Sequence, residues 1–147
     1  RALLCLAFAG AQLGSSACVD VEGGAVELSW SLRTPEGEPN SCSSARIGKV
    51  RLCWAPAGDM DARVCEGSRT FACIEERGFS RFEIDPGETA FWIEPLCDTT
   101  SVVPDPASYE VPPPILRSVS AGQVVTLNAL LIIATGADCN GVSCTCR

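Results

Sequence analysis

Short apolar runs that repeat every second residue constrain this chain more than any other feature. In AVELSWSLR, Val26, Leu28, Trp30 and Leu32 alternate with Glu27, Ser29 and Ser31. Successive strand side chains point to opposite faces, so such a run has one apolar face, whereas a helix needs apolar residues three and four apart. In IGKVRLCWA, Val50, Leu52 and Trp54 share one parity, and Arg51 and Cys53 the other. FSRFEIDPGETAFWIE reads as a hairpin, with Phe82 and Ile84 leading into the turn Asp85-Pro86-Gly87-Glu88 and Phe91 and Ile93 leading away. Proline presets one turn dihedral, and glycine permits a positive φ. QVVTLNALLIIATG is rich in β-branched residues and follows the turn Ser120-Ala121-Gly122, which closes a strand over residues 115–119. Val125, Leu127, Ala129, Leu131 and Ile133 are expected on its inner face. About seven such strands and no amphipathic helix predict an all-β fold, a disulfide-rich antiparallel β-sandwich.

With 147 residues, the chain has room for one domain with a real core. The sandwich is expected over residues 25–147, including a cysteine-rich tail. Two segments break the rhythm. Residues 33–44 and 98–114 carry seven of the ten prolines. The second is longer than a usual connection and either wraps the sandwich or forms an interaction loop. Trp30 and Trp54 share parity with the apolar faces of their strands and are expected in the core. Trp92 lies between Phe91 and Ile93 and therefore faces the other way, beside Glu94. If exposed there, the tryptophan is a candidate contact for a protein or carbohydrate partner; the other reading, cover by a loop or by a second core, follows from how seldom large aromatics are left in solvent.

Ahead of the strands, residues 2–14 (ALLCLAFAGAQLG) form an apolar run behind Arg1, and Ser15, Ser16 and Ala17 are small. A helix of that length is too short to cross a bilayer core, and the pattern is that of a secretory signal peptide over residues 1–17. Cys18 follows directly. Ala17-Cys18 behind an apolar run resembles a bacterial lipoprotein signal. The resemblance implies a diacylglycerol on Cys18, a tether over residues 18–24 and, because Val19 is not aspartate, the outer membrane. Ordinary secretory cleavage after Ala17 stays open. The ten cysteines help to choose. Cys5 leaves with the signal. A lipidated Cys18 leaves Cys42, Cys53, Cys65, Cys73, Cys97, Cys139, Cys144 and Cys146, an even set that can close into disulfides in an oxidising compartment.

A second resemblance lies in residues 79–133. The strand GFSRFEI, the turn DPGE, a further apolar strand and the ending VSAGQVVTL are similar to the carboxypeptidase-regulatory or transthyretin-like β-sandwich, an architecture akin to the immunoglobulin fold. The resemblance implies a non-catalytic, surface-displayed module.

The remaining chemistry is narrow. The chain has no histidine, which excludes Ser-His-Asp and Cys-His catalysis and histidine-ligated zinc. The tail cysteines Cys139, Cys144 and Cys146 lack paired C-x-x-C spacing, so disulfides are expected there rather than zinc. Asp59-Met60-Asp61 begins like a calcium loop, but Arg63 stands where the next ligand belongs. No metal or cofactor is therefore expected. A net charge of -7 argues against nucleic acid, whose phosphates need clustered Lys and Arg. The expected function is that of an envelope-anchored, non-catalytic binding or display module. The alternative is a soluble secreted protein with a redox or hydrolytic role using a free thiol or carboxylates.

Overall fold

A computed structural model describes residues 21–58, 64–97 and 108–134. The expected signal peptide, Cys18, the tail cysteines and Asp59-Met60-Asp61 lie outside the described residues. Nine strands follow in order: β1 (Ala25–Arg33), β2 (Ile47–Pro56), β3 (Gly67–Ala72), β4 (Arg77–Phe79), β5 (Gly87–Cys97), β6 (Tyr109–Glu110), β7 (Ile115–Val119), β8 (Val124–Thr126) and β9 (Leu130–Ala134). A 3-10 turn over Cys73–Glu75 joins β3 to β4. Among the described residues there is no α-helix.

The strands form two sheets, one in the order β4-β1-β9-β6 with β8 also on β1, the other in the order β3-β2-β5-β7. Their facing sides carry the apolar parity of each run. Val26, Leu28, Trp30 and Leu32 of β1 meet Val50 and Leu52 of β2, Phe91 and Ile93 of β5, and Leu130 and Ile132 of β9 in one buried cluster. This is the sandwich that the period-two pattern predicts. Three buried polar side chains of the core are paired, as low-dielectric surroundings require. The Trp30 indole N–H donates to the Cys73 carbonyl at 3.0 Å, and the Tyr109 hydroxyl donates to the Ala45 carbonyl at 2.7 Å. Ser80 is fully buried; its hydroxyl accepts the Val26 N–H at 2.8 Å and donates to the Arg81 carbonyl.

Three local expectations are corrected. Residues 80–84 are not one arm of a hairpin. Ile84 forms an isolated bridge with Gly24 on the first sheet, and the chain then crosses at Asp85-Pro86 to begin β5 in the second sheet at Gly87. Phe82 is left 40% exposed, edge-on to Phe79. Pairing is also not wholly antiparallel, because β1 runs parallel to β8 and β9.

The third correction explains itself through register. Glu27 pairs with Thr126, an offset of 99 (126 − 27), whereas Trp30 pairs with Leu130, an offset of 100 (130 − 30). One extra residue therefore sits between β8 and β9. A single inserted residue flips every later side chain to the other face. Leu127 is buried as expected, but beyond it Leu130 and Ile132 point inward and Leu131 is 39% exposed. The turn before β8 agrees with its expected form: β7 ends at Val119, and Gly122 takes φ +70°.

Candidate functional site

The chemistry-bearing residues collect on the outer face of the second sheet. Along β2 the outward parity is Arg51, Cys53, Ala55, and the antiparallel register sets these opposite Glu94, Trp92 and Ala90 of β5. Arg51 holds Glu94 through two contacts to one carboxylate oxygen, Nε to Oε2 at 2.8 Å and Nη2 to Oε2 at 2.5 Å. The Trp92 indole N–H reaches the other oxygen, Oε1, at 3.3 Å, the long end of hydrogen-bond range. Cys53 is joined to Cys65, just ahead of β3, with a Cα–Cα distance of 5.1 Å. Both sulfurs lie against Glu94 Oε2, Cys53 Sγ at 3.5 Å and Cys65 Sγ at 3.9 Å. A disulfide sulfur has no hydrogen to donate, so these are van der Waals contacts.

This face carries a small second core of Cys53, Ala55, Ala90 and Trp92, with Cys65 packed on it. Trp92 is 2% exposed, so of its two readings the one that covers it with a second core holds, and a solvent-facing ring for a partner or sugar is not present at this position. Small neighbours, Cys53 opposite and Ala90 along the strand, leave room for the indole. Trp54 departs from expectation. It is half-buried rather than enclosed, its indole lies over Gly67, which the β2–β3 register places directly opposite, and it lines a cleft of about 500 Å³. Glu66, Glu83, Asp85 and Glu88 line the same cleft, so it is acidic with one aromatic wall. A second, more open cleft of about 720 Å³ runs beside β4, between Phe71, Phe79 and Leu127.

Five of the eight disulfide candidates fall within the described residues, and all five are bonded. Cys42 pairs with Cys73, at a Cα–Cα distance of 5.9 Å, and Cys53 pairs with Cys65. Cys97 is disulfide-bonded as well. Cys139, Cys144 and Cys146, like Cys18, lie outside the described residues. Sequence reasoning sought metal ligands only in the tail and the Asp59-Met60-Asp61 segment. It missed the grouping that the fold assembles among the described residues, Cys53, Cys65 and Glu94, whose ligand atoms all lie within 4.8 Å of one another. No local spacing announces it, because the three come from different strands and loops. Among the described residues no helix is long and apolar enough to cross a membrane. Compared with protein-family models, curated proteins and solved structures, the chain matches none of them.

Proposed function

We propose that this chain is an envelope-anchored lipoprotein, tethered through a diacylglycerol on Cys18, whose β-sandwich is a non-catalytic binding or structural display module. The observation that carries the reading is the oxidation of every described cysteine, Cys42, Cys53, Cys65, Cys73 and Cys97. Disulfides on that scale belong to exported proteins, in keeping with the signal-like residues 1–17. The parity of the set then bears on Cys18. Eight cysteines follow it. A ninth thiol at Cys18 would be left over, whereas a thioether to lipid leaves the rest even. Resemblance to lipoprotein sorting signals, with Val19 rather than aspartate after Cys18, supports the outer membrane as its site. Its partner is a protein or a carbohydrate, and the acidic charge disfavours nucleic acid.

The test is the intact mass of the full-length product from a bacterial membrane fraction, alkylated without reduction. The expected product begins at Cys18, carries a diacylglycerol and takes up no alkylating agent. An unmodified Cys18 with one labelled thiol overturns the tether and favours a soluble secreted protein. A specific observation keeps a redox form of that second reading in view: the Cys53–Cys65 bridge is part-exposed at Cys65 and lies against a carboxylate.

A further inference from the structure

We propose that Cys53, Cys65 and Glu94 form a redox-gated site for a divalent cation of the zinc class, closed while the two sulfurs are bonded and opened when they are reduced. The inference is independent of how the N-terminus is held.

A tetrahedral zinc-class ion sits about 2.3 Å from thiolate sulfur and about 2.0 Å from carboxylate oxygen. Those lengths at a tetrahedral angle put sulfur and oxygen about 3.5 Å apart and two sulfurs about 3.8 Å apart. Glu94 Oε2 already stands 3.5 Å from Cys53 Sγ and 3.9 Å from Cys65 Sγ. Two edges of the coordination shell are therefore laid out before any ion enters. Only the sulfur–sulfur edge must open, and breaking the bond opens it. Side-chain rotation over a Cα–Cα separation of 5.1 Å suffices without moving the strands.

Two thiolates and a carboxylate sum to -3, the Arg51 guanidinium adds +1, and a divalent ion brings the group to neutrality. Taking that many charges out of water is tolerable only when they compensate. Arg51, with two N–H contacts on Oε2, and the Trp92 indole N–H, on Oε1, fix the carboxylate from outside the ligand set, and an entering ion takes over one of the two Arg51 contacts on Oε2. Soft sulfur ligands with one oxygen select zinc-like ions over magnesium or calcium.

The steps balance. A dithiol reductant gives two electrons and two protons to the Cys53–Cys65 bond, becomes a disulfide itself, and leaves two protein thiols. Ion entry then displaces both thiol protons to solvent, so binding releases about two protons per ion. In an oxidising compartment the bridge keeps the site shut, and a thiol reductase opens it.

The test uses the full chain, reduced with a phosphine (which takes oxygen from water as the bond is cleaved) and titrated with Co²⁺ as a spectroscopic stand-in for zinc. Reduction frees other cysteines too, so the readout is a comparison between C53S/C65S and C42S/C73S. The thiolate-to-cobalt charge-transfer band and one equivalent of ion should vanish in C53S/C65S and persist in C42S/C73S. Glu94→Gln should weaken the remaining affinity at least tenfold. If Glu94→Gln fails to fold by circular dichroism, Glu94→Asp, which keeps the charge one methylene back, should still bind more weakly than wild type. Cobalt binding by C53S/C65S equal to wild type in stoichiometry and affinity overturns the proposal. So does unchanged affinity in a folded Glu94 variant, or ion uptake at this site by the oxidised protein.

Discussion

The two disulfides fully placed within the described residues differ in a way that predicts a ranking of stability. Cys42–Cys73 closes a sequence separation of 31 and Cys53–Cys65 a separation of 12. In the chain-entropy account, cross-linking restricts the unfolded ensemble by an amount that grows with the logarithm of loop length. It gives about 3.7 kcal/mol for the longer loop and about 2.8 kcal/mol for the shorter, a gap of roughly 0.9 kcal/mol. Packing does not separate the two bridges: Cys73 at 1% and Cys53 at 0% exposure are both buried, each beside a part-buried partner, so truncation leaves a cavity in either case.

The assay is urea denaturation of C42A/C73A and C53A/C65A, each keeping its remaining bridges oxidised. With an m-value of roughly 2 kcal/mol/M, C42A/C73A should unfold at a urea concentration lower by about 0.4 M than C53A/C65A. Both m-values should rise slightly, because an unlinked chain exposes more surface when unfolded. If C53A/C65A proves the less stable variant, loop closure is not what these bridges contribute. The Glu94 contacts of the outer bridge would then dominate its energetics.

Other outcomes follow from single side chains. Ser80→Ala should cost about 1–3 kcal/mol in the same unfolding assay, because it strands the buried Val26 N–H that the hydroxyl satisfies; a loss below about 0.5 kcal/mol would mean that another acceptor takes over. Trp92→Ala should cost about 3–5 kcal/mol, as truncation of a buried aromatic does, and calorimetry should register the lowered melting temperature. Gly67→Ala should cost about 1–3 kcal/mol and shift tryptophan emission to the red, since the added Cβ falls within the Trp54 indole and drives the ring toward water. Unchanged emission in Gly67→Ala would show that the strand, not the indole, gives way.

Much of the fold was legible because its residues obey one rule. Val26, Leu28, Trp30 and Leu32 alternate without interruption, and all four are buried in the sandwich. The rule failed where the backbone inserted a residue. Nothing in TLNALLII marks the bulge, since both parities there are apolar: Ala129 and Leu131 on one, Leu130 and Ile132 on the other. Pairing with β1 decided between them, and that choice is a property of two segments about 100 residues apart. The false hairpin has a similar origin. A Pro-Gly turn between apolar runs is a local signal, whereas the choice of Ile84 to pair with Gly24 is not.

The candidate site shows a different kind of failure. Period-two reasoning assumes a sheet with one wet face, and it leaves Trp92 between two readings, exposed or covered by a second core. Yet Ala90, Phe91, Trp92 and Ile93 form an unbroken apolar run, which is the mark of a strand buried on both faces. The four residues are all buried. Reading that run as two-sided decides for the second core and draws the cross-strand neighbour Cys53 in with Trp92. Glu94, two residues further along the same face, is then no ordinary surface carboxylate. It is the polar boundary of a dry patch, held by Arg51 and touching a disulfide. That position, between an apolar cluster and solvent, is what gives this outer face chemistry that the alternation alone did not foretell.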